Sequence, residues 1–253
     1  MNIIGLDIGT TTVSAVVLDS ETGKILEGIT LPNDSAIKSE STWSYAQNAD
    51  RILEICWNIV SSLKAKYSPI KAIGVDGQMH GMVYLDEEGR ACSPLYTWQD
   101  KRGDLPFEDG TYASVLSRDS GIHMASGFGL TTHYWFIKND AVFPAASVLC
   151  TIADYVAMHL AGRKTPLVHT SNAASMGLFD IKTGNWAFDA MKKAGFPTDM
   201  LPEVTAKCEA IGADEDGIPV SCAIGDNQAS FIGSVKNPEC SVLVNMGTGG
   251  QVP

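Results

Sequence analysis

Ile4-Gly-Leu-Asp-Ile-Gly-Thr-Thr-Thr-Val13 and Val242-Leu-Val-Asn-Met-Gly-Thr-Gly-Gly-Gln-Val252 stand at opposite ends of the chain and follow one plan. In each, an apolar strand delivers a polar residue, then x-Gly-Thr, then what reads as a returning strand. Such an echo is how a duplicated fold announces its second copy, and here that copy is cut short after roughly a dozen residues. The expectation is one domain over residues 1–240, with 241–253 as the start of a second in a longer protein.

Working outward from the first copy, Val, Ile and Thr dominate three predicted strands, Asn2–Asp7, Thr11–Asp19 and Lys24–Leu31. Turn signals fall at Gly9-Thr10 and at Ser20-Glu21-Thr22-Gly23. From Asn48 to Tyr67 the period changes. Ile52, Leu53, Cys56, Ile59, Val60 and Leu63 make one face of an amphipathic helix, with Asn48 as its N-cap. Ile70–Val75 returns as a short apolar strand ending at Asp76-Gly77. Met82–Asp86 reads as a strand, and Thr132–Lys138 and Ile152–Leu160 read as helices. Val220–Ile224 is again an apolar strand, opening at Gly225-Asp226-Asn227 into a small-residue helix through Ser234. This order predicts a three-layer α/β domain, a mixed sheet flanked by helices, with a β-rich insertion between about residues 78 and 130.

The chain has 253 residues, 45% apolar and 19% charged, an ordinary globular balance. A net charge of −11 argues against a nucleic-acid footprint, which needs a basic face. It does not argue against small anions, because backbone N–H groups and a metal can supply a positive field locally. The six cysteines are scattered, without C-x-x-C pairs or metal-ligand spacing, and read as reduced thiols. With no basic leader before Met1-Asn-Ile-Ile and no apolar run of membrane-spanning length, a soluble cytoplasmic protein is expected.

Asp7-Ile-Gly-Thr-Thr-Thr12 lies on the turn between two strands. Gly9 lets the backbone approach an anion, and Thr10, Thr11 and Thr12 offer hydroxyl and N–H donors to phosphate oxygens. Asp7, at a strand end, is a candidate for Mg²⁺ held through its waters; a plain hairpin turn is the alternative. Asp226 opens a helix after a strand, where its carboxylate could take a proton from a hydroxyl, ionised with help from the helix N-terminus. A simple N-cap is the alternative. Gln78-Met79-His80-Gly81 and Thr97-Trp98-Gln99-Asp100 offer polar groups for hydroxyl recognition and an indole face for a sugar. Taken singly, a satisfied core histidine and a solvated loop explain them as well.

Together, Asp7-x-Gly-Thr, Gln78-Met-His-Gly, Trp98-x-Asp100 and Gly225-Asp226-Asn227, in this order, resemble the FGGY family of carbohydrate kinases. The resemblance covers essentially the whole chain as that family's N-terminal domain, of the actin-like ATPase, ribonuclease H-like type. It implies that Asp226 is the catalytic base and Asp7 the metal-associated carboxylate. It makes Gly9, Thr10 and Thr11 the first phosphate loop and Gly247, Thr248 and Gly249 the second. It implies ATP and Mg²⁺ as cofactors, and sugar contacts from Gln78, Met79, His80, Trp98, Asp100 and Asn227. The implied partners are a ketose and ATP, not nucleic acid or a membrane, with a homodimer as the candidate assembly.

Thr97-Trp-Gln-Asp100, Ser126-Gly-Phe-Gly129, Asn172-Ala-Ala-Ser175 and Gly195-Phe-Pro197 are similar to the sedoheptulokinase branch. Asn227 is closer to xylulokinases, and His169-Thr170 stand where many members carry an Asp. The resemblance therefore implies phosphorylation of a ketose at a terminal hydroxyl, with sedoheptulose at its 7-hydroxyl as the first candidate. A pentulose or another polyol is the alternative within the class. A non-catalytic actin-like binding module is the alternative outside it. The chain alone is expected to be inactive, since its second loop lacks the sheet that would hold it.

Overall fold

Strict alternation builds the first strand: Ile4, Leu6 and Ile8 are buried on one face while Asp7 between them is exposed. The computed structural model describes residues 1–243 together with Asn245–Met246 and Gly250–Gln251. Strands β1 (Asn2–Ile8), β2 (Thr12–Asp19) and β3 (Lys24–Pro32) form an antiparallel meander. Helix α1 (Ala49–Tyr67) follows, capped by Asn48, whose side chain accepts from the Arg51 N–H at 3.0 Å. The chain returns as β4 (Ile70–Gly77), parallel to β1, with Asp7 opposite Asp76 and Ile8 opposite Gly77.

The sheet is completed by β5 (Ala210–Ala213), β6 (Pro219–Ser221) and β7 (Ile224–Gly225). Its order is β5-β6-β4-β1-β2-β3, with β7 also pairing parallel to β4. It is a mixed sheet, as the sequence predicts. Val220–Ile224, expected as one strand, is two. Val220 pairs with Ile73 and Ile224 with Asp76, four steps against three, so one residue is surplus and the ladder breaks at Cys222-Ala223. At the break the Cys222 N–H turns to the Glu209 carbonyl at 2.9 Å.

Helix α1 and helix α4 (Ile152–Leu160) pack together on one face of the sheet, over Ile4, Leu6, Ile8, Val13, Ala15 and Val17. On the other face Asp7 and Val16 are exposed.

Residues 78–130 carry short strands at Val83–Leu85, Leu95–Tyr96, Pro106–Phe107 and Gly110–Thr111, as the β-rich reading expects. They also carry a helix the sequence reading did not place, α2 (Tyr112–Ser120). Its three serines are poor helix formers. Thr111 and Ser114 form a capping box, and the Ser117 and Ser120 hydroxyls bond back to the carbonyls of Ala113 and Leu116. Helices α3 (Gly129–Lys138), α5 (Thr170–Met176), α6 (Phe188–Lys193) and α7 (Asp226–Ser234) complete the chain. Among the described residues no helix is long and apolar enough to cross a membrane.

Gly77 closes the β1–β4 pair with no room to spare. A Cβ there would lie 2.9 Å from both Cβ and the carbonyl oxygen of Ile8, and 3.3 Å from the Ala153 Cβ. Gly77→Ala is expected to destabilise the protein by about 1–3 kcal/mol, the usual cost of overpacking. Thermal unfolding checks this; an unchanged midpoint would show that the strands can part there freely.

Candidate active site

Three parallel strands end at the same edge of the sheet, and each delivers an acid there. Asp7 and Asp76 are register partners on β1 and β4, and β7 brings Ile224 beside Asp76. Asp226 follows Gly225 by one residue. The carboxyl ends of such strands are where open α/β sheets bind ligands. The N-cap of α7 is Gly225, which lends no side chain, and Asp226 is the first helical residue. Asp226 is therefore not the simple N-cap that residue type alone suggests. Its carboxylate accepts from the Asn227 N–H at 2.7 Å.

Burial raises the Asp226 carboxyl above its usual range and the nearby Asp7 charge adds to this, while the Asn227 N–H and His80 oppose it. The helix N-terminus was expected to favour the ionised form; loss of water outweighs it. Asp76 is pushed up to about 8, first by burial, then by the charge and hydrogen bond of Asp7 and by Asp226. Asp7 itself, open to the cleft, is also raised by the loss of water around it. Sequence reading ended a strand at Asp76 and gave it no role. Its signal was present: an acid at the end of a strand that turned out to be the partner of β1.

The loop between β1 and β2 is braced from several sides. Its Gly9 N–H reaches the Thr12 carbonyl at 2.9 Å, and a Cβ on Gly9 would crowd that same oxygen at 2.9 Å. Asn33 donates its side-chain amide to the Gly9 carbonyl at 2.9 Å and its backbone N–H to the Thr11 carbonyl at 2.9 Å. The backbone N–H groups of Thr10 and Thr11 have no protein partner among the described residues, which suits an anion above the loop.

Helix α5 aligns the opposite wall. Ser171 accepts from the Gly225 N–H at 3.0 Å, and Asn172 donates to the Ala223 carbonyl at 3.4 Å, so α5 holds the approach to Asp226. Ser175 accepts from the His80 N–H at 3.0 Å, and its carbonyl sits 2.7 Å from His80 Nδ1. A carbonyl can only accept, so Nδ1 carries the proton and Nε2 is left to face a ligand. His80 stands at φ 71°, uncommon for a non-glycine residue, with its ring stacked on Phe128 at 5.0 Å. Met79 packs under Gly225, and Asn227 reaches its sulfur at 3.6 Å. Ser171 and Ser175 act only through this fold; the Asn172–Ser175 segment stood out by resemblance, but nothing local in the sequence gave either serine this role.

Trp98 leaves about half of its surface exposed, and its indole N–H donates to the Thr10 hydroxyl at 3.0 Å. Asp100, expected among the sugar contacts, is buried instead. Its oxygens accept from the Tyr45 N–H at 3.1 Å, the Arg102 N–H at 3.1 Å and the Arg102 guanidinium at 2.7 Å. That guanidinium lies over Tyr96 at 4.2 Å and within 5.2 Å of the Trp43, Trp135 and Phe136 rings. Asp100 and Arg102 thus anchor the Trp98 loop from beneath, while Gln99 and Lys101 remain exposed as a solvated loop would have them. Gln78 is likewise turned inward, donating to Gln47 and accepting from Thr10. The structure thus gathers Asp7, the Gly9–Thr11 loop, Met79, His80, Trp98, Asp226 and Asn227 around one edge. Gly247, Thr248 and Gly249 lie outside the described residues.

Among the described residues no group of three or more His, Cys, Asp or Glu side chains forms a metal cage. An all-oxygen pair at Asp7 and Asp76 fits Mg²⁺ that keeps its waters and takes phosphate oxygens, and does not fit a protein-enclosed ion.

Residues 2–233 match the model of the FGGY family of carbohydrate kinases, N-terminal domain. Sedoheptulokinase of Mus musculus is 30% identical over 280 residues, 98% of this chain and 58% of the relative. Sedoheptulokinase of Homo sapiens is 30% identical over 273 residues, 95% of this chain and 56% of the relative. The solved structure of a xyloylose kinase from Brucella ovis matches with a TM-score of 0.83 at 25% identity, over 99% of this chain and 53% of that one. The chain thus spans a little over half the length of the relatives it matches.

Crowding acids at one edge has a cost that depends on pH. Asp76 keeps in the fold a proton that the unfolded chain releases near 3.8, and gives it up only near 8. Across that window the native state binds more protons, so stability falls as pH rises. Asp76→Asn, neutral throughout, should therefore unfold at a higher temperature than the parent at about pH 9 and converge with it near pH ~4, by roughly 2–4 °C per kcal/mol released. Thermal unfolding across pH checks the sign. A variant less stable than the parent at high pH would show that the Asp76 charge is compensated.

Proposed function

The chain belongs to the FGGY family of carbohydrate kinases, and from that premise we propose that the whole protein transfers the γ-phosphoryl group of ATP to a terminal hydroxyl of a ketose. Residues 1–240 are the sugar-binding domain that carries the base, and 241–253 begin the domain that completes the nucleotide site. The observation that supports this best is the placement of Asp226, one residue beyond β7, on the same strand edge as Asp7 and the Gly9–Thr11 loop. Sedoheptulose, phosphorylated at its 7-hydroxyl, is the first candidate acceptor. The two sedoheptulokinase relatives support it, as do the Thr97–Asp100 and Asn172–Ser175 segments.

Phosphoryl transfer depends on positioning and charge neutralisation more than on covalent chemistry. Asp226 accepts the proton of the attacking hydroxyl; its raised pKa makes it a better proton acceptor than an ordinary carboxylate once ionised. The free N–H groups of Thr10 and Thr11 hold phosphate oxygens, and the Thr11 hydroxyl is open to them. Asp7 would hold Mg²⁺, which when bound would neutralise the phosphate charge. Met79, His80, Trp98 and Asn227 contact the sugar, with His80 Nε2 turned to a hydroxyl and the indole face for the C–H side. Gln78 and Asp100 support these groups from beneath. Gly247, Thr248 and Gly249 form the second phosphate loop, and closure of the two domains keeps water from acting as acceptor. Six free cysteines suit a reducing cytoplasm.

Asn227 favours a second reading with a pentulose as acceptor. Turnover of the full-length protein on sedoheptulose, xylulose, ribulose and glycerol decides between them: the highest kcat/KM is expected on sedoheptulose, and a clear preference for a pentulose would move the assignment within the family. Asp226→Asn in the full-length protein should lower kcat by about 10²–10⁴-fold, with a smaller change in KM. Near-parental turnover would make Asp226 a structural residue.

A further inference from the structure

Thr10 sits at one end of a chain of hydrogen bonds whose every polarity is forced. Its backbone carbonyl can only accept, and it accepts from Gln47 Nε2 at 2.8 Å. Gln47 therefore turns its oxygen to Gln78, which donates through Nε2 at 3.0 Å. Gln78 is then left with its oxygen for the Thr10 hydroxyl, 3.1 Å away, so that hydroxyl must donate. Its remaining lone pair accepts from the Trp98 indole, which can only donate, at 3.0 Å. A sequence that begins on a carbonyl and ends on an indole N–H cannot run in reverse. Neither amide can flip without leaving two buried groups unpaired.

Both glutamines are 4% exposed, so water offers little substitute for these bonds. Packing does not hold the loop on this side either: Thr10, Thr11, Asn33 and Gln47 border a cavity of about 460 Å³. Asn33 holds Gly9 and Thr11; at Thr10 between them the tether is the hydrogen-bond chain. Its anchor lies beside the element that presents the indole, since Gln47, on the short strand Ala46–Gln47, pairs with Leu95 on the strand leading into Thr97 and Trp98.

We propose that Gln47 is a positioning residue for the phosphate loop, and that the chain Gln47–Gln78–Thr10–Trp98 ties the phosphate-binding backbone of Thr10 to the indole that covers the sugar. The kinetic part of this inference rests on the kinase reading above; the geometric part does not. Gln47 touches neither substrate in that reading. It fixes the Thr10–Thr11 peptide, whose N–H faces the phosphates in that reading, and it presets the hydroxyl on which Trp98 rests.

The test uses the full-length protein with Gln47→Glu, which keeps length but loses the donor to Thr10, and Gln47→Met, which loses both bonds. In each, kcat should fall by about 10- to 100-fold and KM for ATP should rise, as expected when a reacting group is misplaced. KM for the sugar should stay within about twofold, because Asp100 and Arg102 still anchor the Trp98 loop, a split that general destabilisation would not give. Independently of activity, the indole ¹⁵N–¹H resonance of Trp98, identified by its loss in Trp98→Phe, should shift in both variants. Should neither variant fold, Thr10→Val, which keeps the shape and breaks both hydroxyl bonds, is read for the same kinetic split. An unmoved Trp98 resonance in a folded variant, parental kcat and KM for ATP, or a change confined to KM for the sugar overturns the proposal. If the parent phosphorylates no acceptor, the kinase reading fails and the resonance alone decides whether the chain exists.

Discussion

The parallel pairing of β1 with β4 is the constraint on which the rest depends. It sets Asp7 beside Asp76 and, through β7, brings the turn before Asp226 to the same row. Without it the acids would belong to three unconnected loops. With it they share a cleft in which water is scarce and like charges face one another, so their pKa values rise together. The pairing tolerates no side chain at its tightest point, which is why glycine stands at 77.

Holding such a row open to a ligand demands support from residues that never reach it. Helix α5 supplies it on the base side, where Ser171 and Asn172 hold the strand leading to Asp226 and Ser175 holds His80 in a strained backbone conformation. On the opposite side the work falls to a buried ion pair. Arg102 is enclosed by four aromatic rings and neutralised by Asp100, which lets the Trp98 loop stand half exposed without being loose. A buried charge on that scale is tolerated because the carboxylate, two backbone donors and the ring faces share it.

The raised acids and the empty faces around Thr10 and Thr11 describe a site built for a charged partner. Each carboxyl is costly in the absence of a cation, and each unpaired N–H is costly in the absence of an anion. In the proposed function a magnesium-bound phosphate chain would supply both. This is the usual exchange of stability for function at an active site.

What the sequence determined by itself was whatever depends on neighbours along the chain. Val, Ile and Thr between turn signals gave the three opening strands, the 3.6-residue period gave α1 with its Asn48 cap, and Gly-Thr and Gly-Asp-Asn marked the turns that carry the loop and Asp226. The family followed from the order of those motifs. The helix α2 was hidden because serines are weak helix formers unless their hydroxyls are seen to cap and bond back. Only the tertiary structure decided what depends on pairs distant in sequence. Asp76 became part of the site through strand register, Gln47 and Ser175 through bonds spanning 31 and 95 residues, and Asp100 and Gln78 turned inward because buried partners satisfied them. Local propensity reports how a segment folds; it carries no information about which carboxylate, amide or guanidinium will be waiting when the segment arrives.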